Sequence, residues 1–184
     1  MNEKPILFNT EMVRAILDGK KTQTRRLVKN LPLEEPYATV DEDGLWISDE
    51  DGDWYRAEAF SPIKSGDILW VRETWMEENE YAGLSDRTMY FYKASDPERK
   101  GCWRPSIHMP KEAARIWLLV TDVRPERLKN ISATDAMEEG FTDWNDFVRV
   151  WNSTIKKSDL RTYGWDANPW VWVIEFTRID YYGW

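Results

Sequence analysis

The chain has 184 residues and a formal net charge of −8, and this length suits one folded domain. Hydrophobic residues make up 42% of it, which excludes a globally disordered chain. No apolar run reaches the roughly 18 residues that a membrane-spanning helix needs, and the first residues lack the layout of a signal peptide. Cys102 is the only cysteine, which excludes an internal disulfide and a cysteine-based zinc site. These features predict a cytoplasmic protein without membrane contact.

The single histidine and the acidic balance narrow the possible ligands. His108 is the only histidine, so multi-histidine metal sites are excluded. A carboxylate-only site for Mg²⁺ or Ca²⁺ stays open, although no calcium-loop spacing is present, and we expect no metal and no cofactor. The negative charge argues against sequence-blind binding to nucleic-acid backbones. It leaves a small nucleoside, a nucleotide or locally held RNA as partners, and nothing in the sequence indicates an oligomeric state.

The N-terminal residues predict a strand, a helix and a second strand. Residues 4–8 are apolar enough for a short strand. Thr10 is then a candidate N-cap for a helix over 11–18, which Gly19 ends because glycine adopts a left-handed backbone most easily. Residues 22–28, rich in threonine and closed by valine, predict the second strand.

An acidic segment follows, with no lysine or arginine between residues 34 and 53. Its "DEDG" tetrapeptides are typical of turns between short strands, so we interpret the segment as a hairpin excursion from the core. It is either a solvated surface or a screen that repels extended nucleic acid. Its acidic residues are Glu34, Glu35, Asp41, Glu42, Asp43, Asp49, Glu50, Asp51 and Asp53.

The middle of the chain predicts three strands and a loop. Residues 65–75 form a turn followed by a strand, and residues 88–94 form another. Residues 102–110 contain two prolines and predict a loop whose aromatic and sulfur groups can wall a pocket. Residues 115–128 begin as a long strand that we expect to end near Pro125.

The C-terminal part predicts two helices and a closing strand. Ser132 with Asp135 resembles a capping box, and it opens a short helix that ends at Gly140. A second helix is predicted over 143–155, and residues 168–179 alternate as a strand. The sum is one α+β domain over residues 1–184, with about five or six strands and two or three helices. Many short strands favour a small β-barrel over an open parallel sheet.

The stretch "LDGKKTQTRR" runs against the acidic character of the chain. Between residues 20 and 29 there are five basic residues and no acid. One interpretation is a solvated, basic helix C-terminus that complements the helix dipole. On an extended segment, however, Thr22, Thr24 and Arg26 face the same way. Hydroxyl groups and a guanidinium then converge on one site.

These residues also resemble a known family. "GKKTQTRR" is similar to the G-x-K-x-x-x-x-R signature of ASCH domains, relatives of the RNA-binding PUA domains. "GDILWV", "ATDAMEEG" and "WVIEF" follow in the family's order, and "VRETW" and "WDANPWVWV" resemble segments of longer ASCH proteins that are frequent in phages and prophages. The resemblance implies a small PUA-like β-barrel with insertions at about 30–62 and 76–112.

Within the family, the chain is similar to small bacterial N4-acetylcytidine amidohydrolases. The resemblance implies that Lys21, Thr24 and Glu139 are catalytic. Glu138 is an adjacent competitor for the carboxylate role, and Arg26 matches the signature arginine. The further substrate-binding candidates are Thr22, Arg72, Glu73 and Trp75. Each of these residues also has a structural role available: Arg72 and Glu73, for instance, can pair with each other inside the barrel.

The chemistry of such a set is plausible in itself. A desolvated lysine of lowered pKa can take the proton of a threonine hydroxyl, and a neighbouring arginine lowers that pKa further. A glutamate can pass a proton to the leaving amine. Attack by water activated by Lys21 or Glu139 is equally compatible. We therefore expect either a cofactor-free amidohydrolase acting on an acylated cytosine nucleoside or nucleotide, or a non-catalytic PUA-type module that binds RNA or a modified nucleotide.

Overall fold

The computed structural model describes residues 2–29, 31, 37–42, 44–81 and 86–181, and it confirms the α+β class. The strands in these ranges are β1 (Glu3–Leu7), β2 (Gln23–Leu27), β3 (Ala38–Asp41), β4 (Gly44–Ser48), β5 (Trp54–Arg56), β6 (Ile68–Arg72), β7 (Trp75–Tyr81), β8 (Asp86–Tyr92), β9 (Trp117–Arg127) and β10 (Trp170–Ile179). The helices are α1 (Thr10–Leu17), α2 (Ala133–Glu138), α3 (Trp144–Thr154) and α4 (Leu160–Tyr163). None of these helices is both long and apolar enough to cross a membrane.

A central sheet of five strands in the order β1-β6-β9-β10-β2 matches the number predicted for the barrel, but the described residues contain ten strands and four helices, more than we predicted for the domain. Strands β1 and β6 are parallel, and the other pairs are antiparallel. Within the described ranges, no backbone ladder joins the edge strands β1 and β2, so the predicted barrel is not closed by hydrogen bonds. A side chain joins them instead: Arg26 Nη2 donates to the Leu7 carbonyl oxygen at 3.0 Å.

Strand β10 lies between two hydrophobic clusters, which explains its nearly continuous apolar sequence. Trp172, Ile174 and Phe176 belong to the cluster that also contains buried residues of α1. Val171 and Val173 belong to the cluster that contains buried residues of α2 and α3. The sheet therefore carries helices on both faces, and β2, hydrogen-bonded to β10, lies within reach of all three.

The two helices next to the basic stretch begin and end close to the predicted residues. The cap of α1 is Asn9 and not Thr10, because the Asn9 side chain accepts from the Met12 amide at 2.8 Å. Asparagine is generally preferred to threonine as an N-cap. The capping box of Ser132 and Asp135 at the start of α2 is confirmed. The residue after the end of α2, Glu139, therefore has a fixed position.

The acidic segment does form turns between short strands, as the sheet β3-β4-β5 shows. Asp49 builds one turn, because its Oδ1 accepts from the amides of Asp51 at 3.0 Å and Asp53 at 2.9 Å. Leu45 and Ile47 are buried in the main hydrophobic cluster, so this small sheet packs on the body of the protein. Three of the predicted acidic residues lie outside the described residues: Glu34, Glu35 and Asp43.

Two strands differ from the prediction for identifiable reasons. The strand expected over 65–75 is interrupted after Arg72, and β7 leaves to pair with β8. Strand β9 continues through Pro125, where we expected it to end. β6 pairs only with the first residues of β9, so the second half of β9 has a ladder partner on one side only among the described residues. A missing N–H is tolerated on such a strand.

Candidate active site

One cavity, of about 740 Å³, opens beside strand β2. The start of α1, strand β2, helix α3 and the loop around Pro105 contribute to its wall. Its polar wall contains Thr24, Arg25, Arg26 and Glu139, and its apolar wall contains Leu27, Phe141, Phe147 and Trp151. The loop over 102–110 contributes Pro105 and Ser106 to the wall, but its aromatic and sulfur groups, which we expected there, do not line this cavity.

All three donor positions of the Lys21 ammonium group have a hydrogen-bond acceptor. Its side chain is 0% exposed, and Nζ donates to the Gln23 carbonyl at 2.8 Å, to the Glu139 carbonyl at 2.8 Å and to Glu139 Oε2 at 2.7 Å. Three acceptors occupy the three protons of an ammonium group, so this geometry belongs to a charged lysine. Burial nevertheless lowers the pKa of Lys21, and Arg26 and Arg25 lower it further, while Glu139 opposes the shift.

Thr24 is fully buried within β2, yet it lines the cavity. Arg26 Nη1 donates to Thr24 Oγ1 at 2.7 Å. Because the hydroxyl oxygen accepts from a guanidinium, its own proton is free to point elsewhere. The direct hydrogen bond between Lys21 and Thr24 that general-base activation requires is not formed within the described residues, since Lys21 is fully engaged by Gln23 and Glu139.

The Glu139 carboxylate lies between two cations. It is 3% exposed; Lys21 holds Oε2, and Arg25 Nη1 lies 3.4 Å from Oε1. Arg25 is itself buried, with Asp135 Oδ2 at 3.4 Å and Glu126 Oε2 at 3.7 Å from its Nη2. An ion of this kind is stable without bulk water only because both oxygens are paired.

The structure distinguishes Glu139 from Glu138. The Glu138 carboxylate accepts a short hydrogen bond from Gln23 Nε2, which also donates to Asp135 Oδ1 at 3.0 Å. Glu138 does not line the cavity, whereas Glu139 does. Gln23 therefore ties α2 to β2 and leaves the second glutamate to face the cavity.

An aromatic ring lies between Arg26, which lines the cavity, and Lys21, which lines a smaller cavity of about 380 Å³ behind Glu139. Phe8 is buried, and its ring centroid lies 5.4 Å from Lys21 Nζ and 5.3 Å from the Arg26 guanidinium carbon. Such contacts favour cations in a desolvated place. Across the cavity, Phe141 and Phe147 meet edge to face at 5.7 Å. The site thus offers charged groups on one side and aromatic surface on the other.

Four other sequence candidates lie elsewhere. Thr22 is exposed beside the smaller cavity of about 380 Å³, and its backbone, not its hydroxyl, joins Glu138 and Phe176. It does not face the same way as Thr24, because regular β2 geometry begins only at Gln23.

The remaining three candidates do not line the main cavity, although their neighbour Thr74 does. Glu73 is paired in bidentate fashion with Arg115, at 2.9 Å for each bond, and not with Arg72. Arg72 donates instead to the Ile107 carbonyl and lies 5.5 Å from the Trp70 ring. Trp75 is buried against Tyr90, with ring centroids 5.9 Å apart.

Sequence reasoning missed several residues of the site. Gln23 and Arg25 were passed over because strand alternation places them opposite Thr24, yet both are buried in the polar network around Glu139. No short sequence pattern around Phe8 or Trp151 indicates that these residues belong to a site. Within the described ranges, no group of three or more histidine, cysteine, aspartate or glutamate side chains is arranged to hold a metal ion.

No protein-family profile matches the chain, and no curated protein matches its sequence. Among solved structures, protein EF3133 of family DUF984 from Enterococcus faecalis V583 is 12% identical, with 100% of this chain and 84% of that one covered and a TM-score of 0.49. The hypothetical protein PH0355 is 14% identical, with 97% of this chain and 100% of that one covered and a TM-score of 0.43. The ASCH domain from Lactobacillus crispatus JV V101 is 12% identical, with 96% of this chain and 79% of that one covered and a TM-score of 0.41.

Proposed function

We propose that this chain is an ASCH-family amidohydrolase that removes the acyl group from an N4-acylated, or similarly modified, cytosine nucleoside or nucleotide. The observation that carries the proposal is that Thr24 and Glu139 line one cavity wall while Lys21, buried behind that wall, binds the Glu139 carboxylate at 2.7 Å. The motif resemblance assigns this chemistry to the same three positions. Two of them are 118 residues apart in the chain, so their meeting is not a local accident.

In the proposed reaction, Glu139 is the general base and then the general acid. It takes a proton from a water molecule whose oxygen bonds to the acyl carbonyl carbon. It then gives that proton to the exocyclic nitrogen as the C–N bond breaks. The products are the free carboxylic acid and the cytosine amine, so atoms and protons balance.

Thr24 and Lys21 support this step in different ways. Arg26 already donates to Thr24 Oγ1, so the hydroxyl proton is directed at the substrate carbonyl oxygen, where negative charge develops. Lys21 holds the Glu139 carboxylate in place through Oε2, and Oε1, which accepts from Arg25 at 3.4 Å, has a second lone pair for the water. Lys21 is thereby a positioning residue.

The test is to measure by chromatography the release of cytidine from N4-acetylcytidine. We expect turnover by the wild type and a loss of about 100-fold or more in kcat for Thr24→Val and for Glu139→Gln. Thr22→Val and Glu138→Gln are matched controls, because they make the same chemical changes at neighbours that do not line the cavity. Absence of turnover by the wild type, or equal losses in the controls, contradicts the proposal.

A non-catalytic module that binds RNA or a modified nucleotide is the second candidate, favoured by Arg26 and Lys29 on the cavity wall. Such a module binds without turnover, and its affinity falls steeply with salt as phosphate contacts release counterions. Filter binding of a short RNA between 50 and 200 mM salt separates the two functions.

A further inference from the structure

The charge of the cavity wall is opposite to the charge of the protein. Three of its residues are cationic, Arg25, Arg26 and Lys29, and one is anionic, Glu139. The anion is already compensated, because Lys21 and Arg25 flank its two oxygens. Arg25 is itself compensated by Asp135 and Glu126, so in a chain of net charge −8 the positive charge left on this wall is that of Arg26 and Lys29.

Lys29 differs from the other cations of the wall. Arg26 is engaged by Thr24 and by two backbone carbonyls, and Arg25 by buried carboxylates. Lys29 is exposed, lies 6.0 Å from the Tyr163 ring, and makes no ion pair within the described part of the chain. It is therefore a cation at the opening of the cavity that is available to a ligand.

Thr24 and Lys29 both line the cavity, and a single nucleotide reaches from one to the other when the flexible four-carbon side chain of Lys29 turns back toward it. Thr24 and Lys29 are five residues apart on extended backbone, which is about 16 Å, and the pairing with β10 continues to Val28. In a cytosine nucleotide, the exocyclic amine and the 5′-phosphate are at opposite ends of the molecule. With the acylated amine at Thr24 and Glu139, the phosphate lies toward Lys29.

We propose that the cavity takes its substrate as a phosphate-bearing nucleotide, with Lys29 contacting the phosphate at the opening. This inference rests on the function proposed above. A single nucleotide is favoured over a long RNA because the net charge of −8 of the chain repels an extended phosphate backbone. A charge-assisted contact between lysine and phosphate at an exposed site gives about a tenfold preference.

Kinetics with N4-acetylcytidine and its 5′-monophosphate test the inference. We expect the wild type to show a KM about tenfold lower for the monophosphate, and Lys29→Ala to abolish that ratio by raising the KM of the monophosphate. Lys20→Ala is the matched control, since Lys20 is exposed but pairs with Asp18 and does not line the cavity. It should keep the ratio. Equal KM values in the wild type, or the same loss in both variants, overturn the inference.

A binding measurement separates this inference from the proposed function. Calorimetry with cytidine and its 5′-monophosphate needs no turnover. A phosphate preference that is lost in Lys29→Ala supports the inference even if no substrate is hydrolysed, in which case the amidohydrolase proposal alone fails. Tighter binding of a short cytidine-containing RNA than of the monophosphate overturns the inference in favour of an RNA ligand.

Discussion

Gly140 lies against Ala15 so closely that a Cβ on it would be 2.8 Å from the Ala15 Cβ. The same Cβ would be 3.3 Å from the Cβ of Lys21, and the backbone of Gly140 has a φ of +91°. The residue that follows Glu139 thus sets how closely the end of α2 approaches α1 and Lys21. A glycine is required here by space and by conformation together.

We predict that Gly140→Ala destabilises the fold and reduces turnover. A left-handed alanine costs about 1–2 kcal/mol, and overpacking adds about 1–3 kcal/mol. Gly19→Ala is the matched control, because Gly19 has a φ of +71° but nothing within 4 Å of its added Cβ. Urea unfolding should show a clearly smaller loss for Gly19→Ala. Equal losses in the two variants would mean that the contact with Ala15 is unimportant.

The buried pair predicts an asymmetry between single substitutions. Glu139→Leu leaves two buried cations, Lys21 and Arg25, beside each other, whereas Lys21→Met leaves Glu139 with Arg25 at 3.4 Å. We expect Glu139→Leu to cost about 3–5 kcal/mol and Lys21→Met to cost less. The double variant should cost less than the sum, as measured in a double-mutant cycle by urea unfolding. Additive costs would contradict a direct interaction.

Substitution of Glu73 tests whether this residue contributes only to stability or also to activity. It is 1% exposed and paired with Arg115, and neither residue lines the cavity. We expect Glu73→Gln to cost about 2 kcal/mol, since Arg115 is 27% exposed and can recover hydration. Turnover per folded molecule should stay at the wild-type value. A selective loss of kcat with unchanged stability would place Glu73 in the site after all.

The capping box of α2 predicts a loss of stability in acid. Burial alone would raise the pKa of Asp135, but hydrogen bonds from Ser132 and Gln23 outweigh it and lower the pKa below 3.8. The stabilisation is therefore present above that ordinary value and is lost as the pH falls through the lowered pKa. Asp135→Asn should flatten the dependence of the melting temperature on pH between 5 and 3. An unchanged slope would contradict this role.

What the sequence could predict was local. The capping box of Ser132 and Asp135 depends on residues three apart, and the turn at Gly19 on one glycine, so both followed from short-range rules. Thr22 was misplaced because its orientation depends on hydrogen bonds to Glu138 and Phe176, far away in the chain. Glu73 was paired with its neighbour Arg72, while its real partner lies 42 residues away.

In the candidate site, too, the sequence indicated which residues are involved but not which contacts they make. The motif resemblance singled out Lys21, Thr24 and Glu139, and the cavity brings Thr24 and Glu139 to one wall, with Lys21 bonded to Glu139. The bonding pattern between them was not predictable, because Arg26 binds the Thr24 hydroxyl and Arg25 binds the second Glu139 oxygen, in competition with Lys21. Competition of this kind depends on distances that a sequence does not contain.

Protonation of Lys21 predicts opposite responses of activity and stability to rising pH. Burial lowers the pKa of Lys21 from its ordinary 10.5, so the unfolded chain binds the proton more tightly than the folded one. Between the lowered pKa and 10.5, the contribution of Lys21 to stability therefore rises with pH. In the same interval kcat should fall, because a neutral amine has lost one of the three N–H donors that bind the Gln23 carbonyl, the Glu139 carbonyl and the Glu139 carboxylate.

Kinetics and unfolding over pH 7–10.5, corrected for spontaneous hydrolysis of the substrate, check this prediction. Lys21→Arg is the informative variant, since a guanidinium stays protonated throughout the range and should remove the alkaline decrease in kcat even if the absolute rate is lower. Lys20→Ala, which changes an exposed lysine next to it, should keep the decrease. A kcat that is flat to pH 10.5 in the wild type, or a decrease that persists in Lys21→Arg, would show that the charge on Lys21 does not control Glu139.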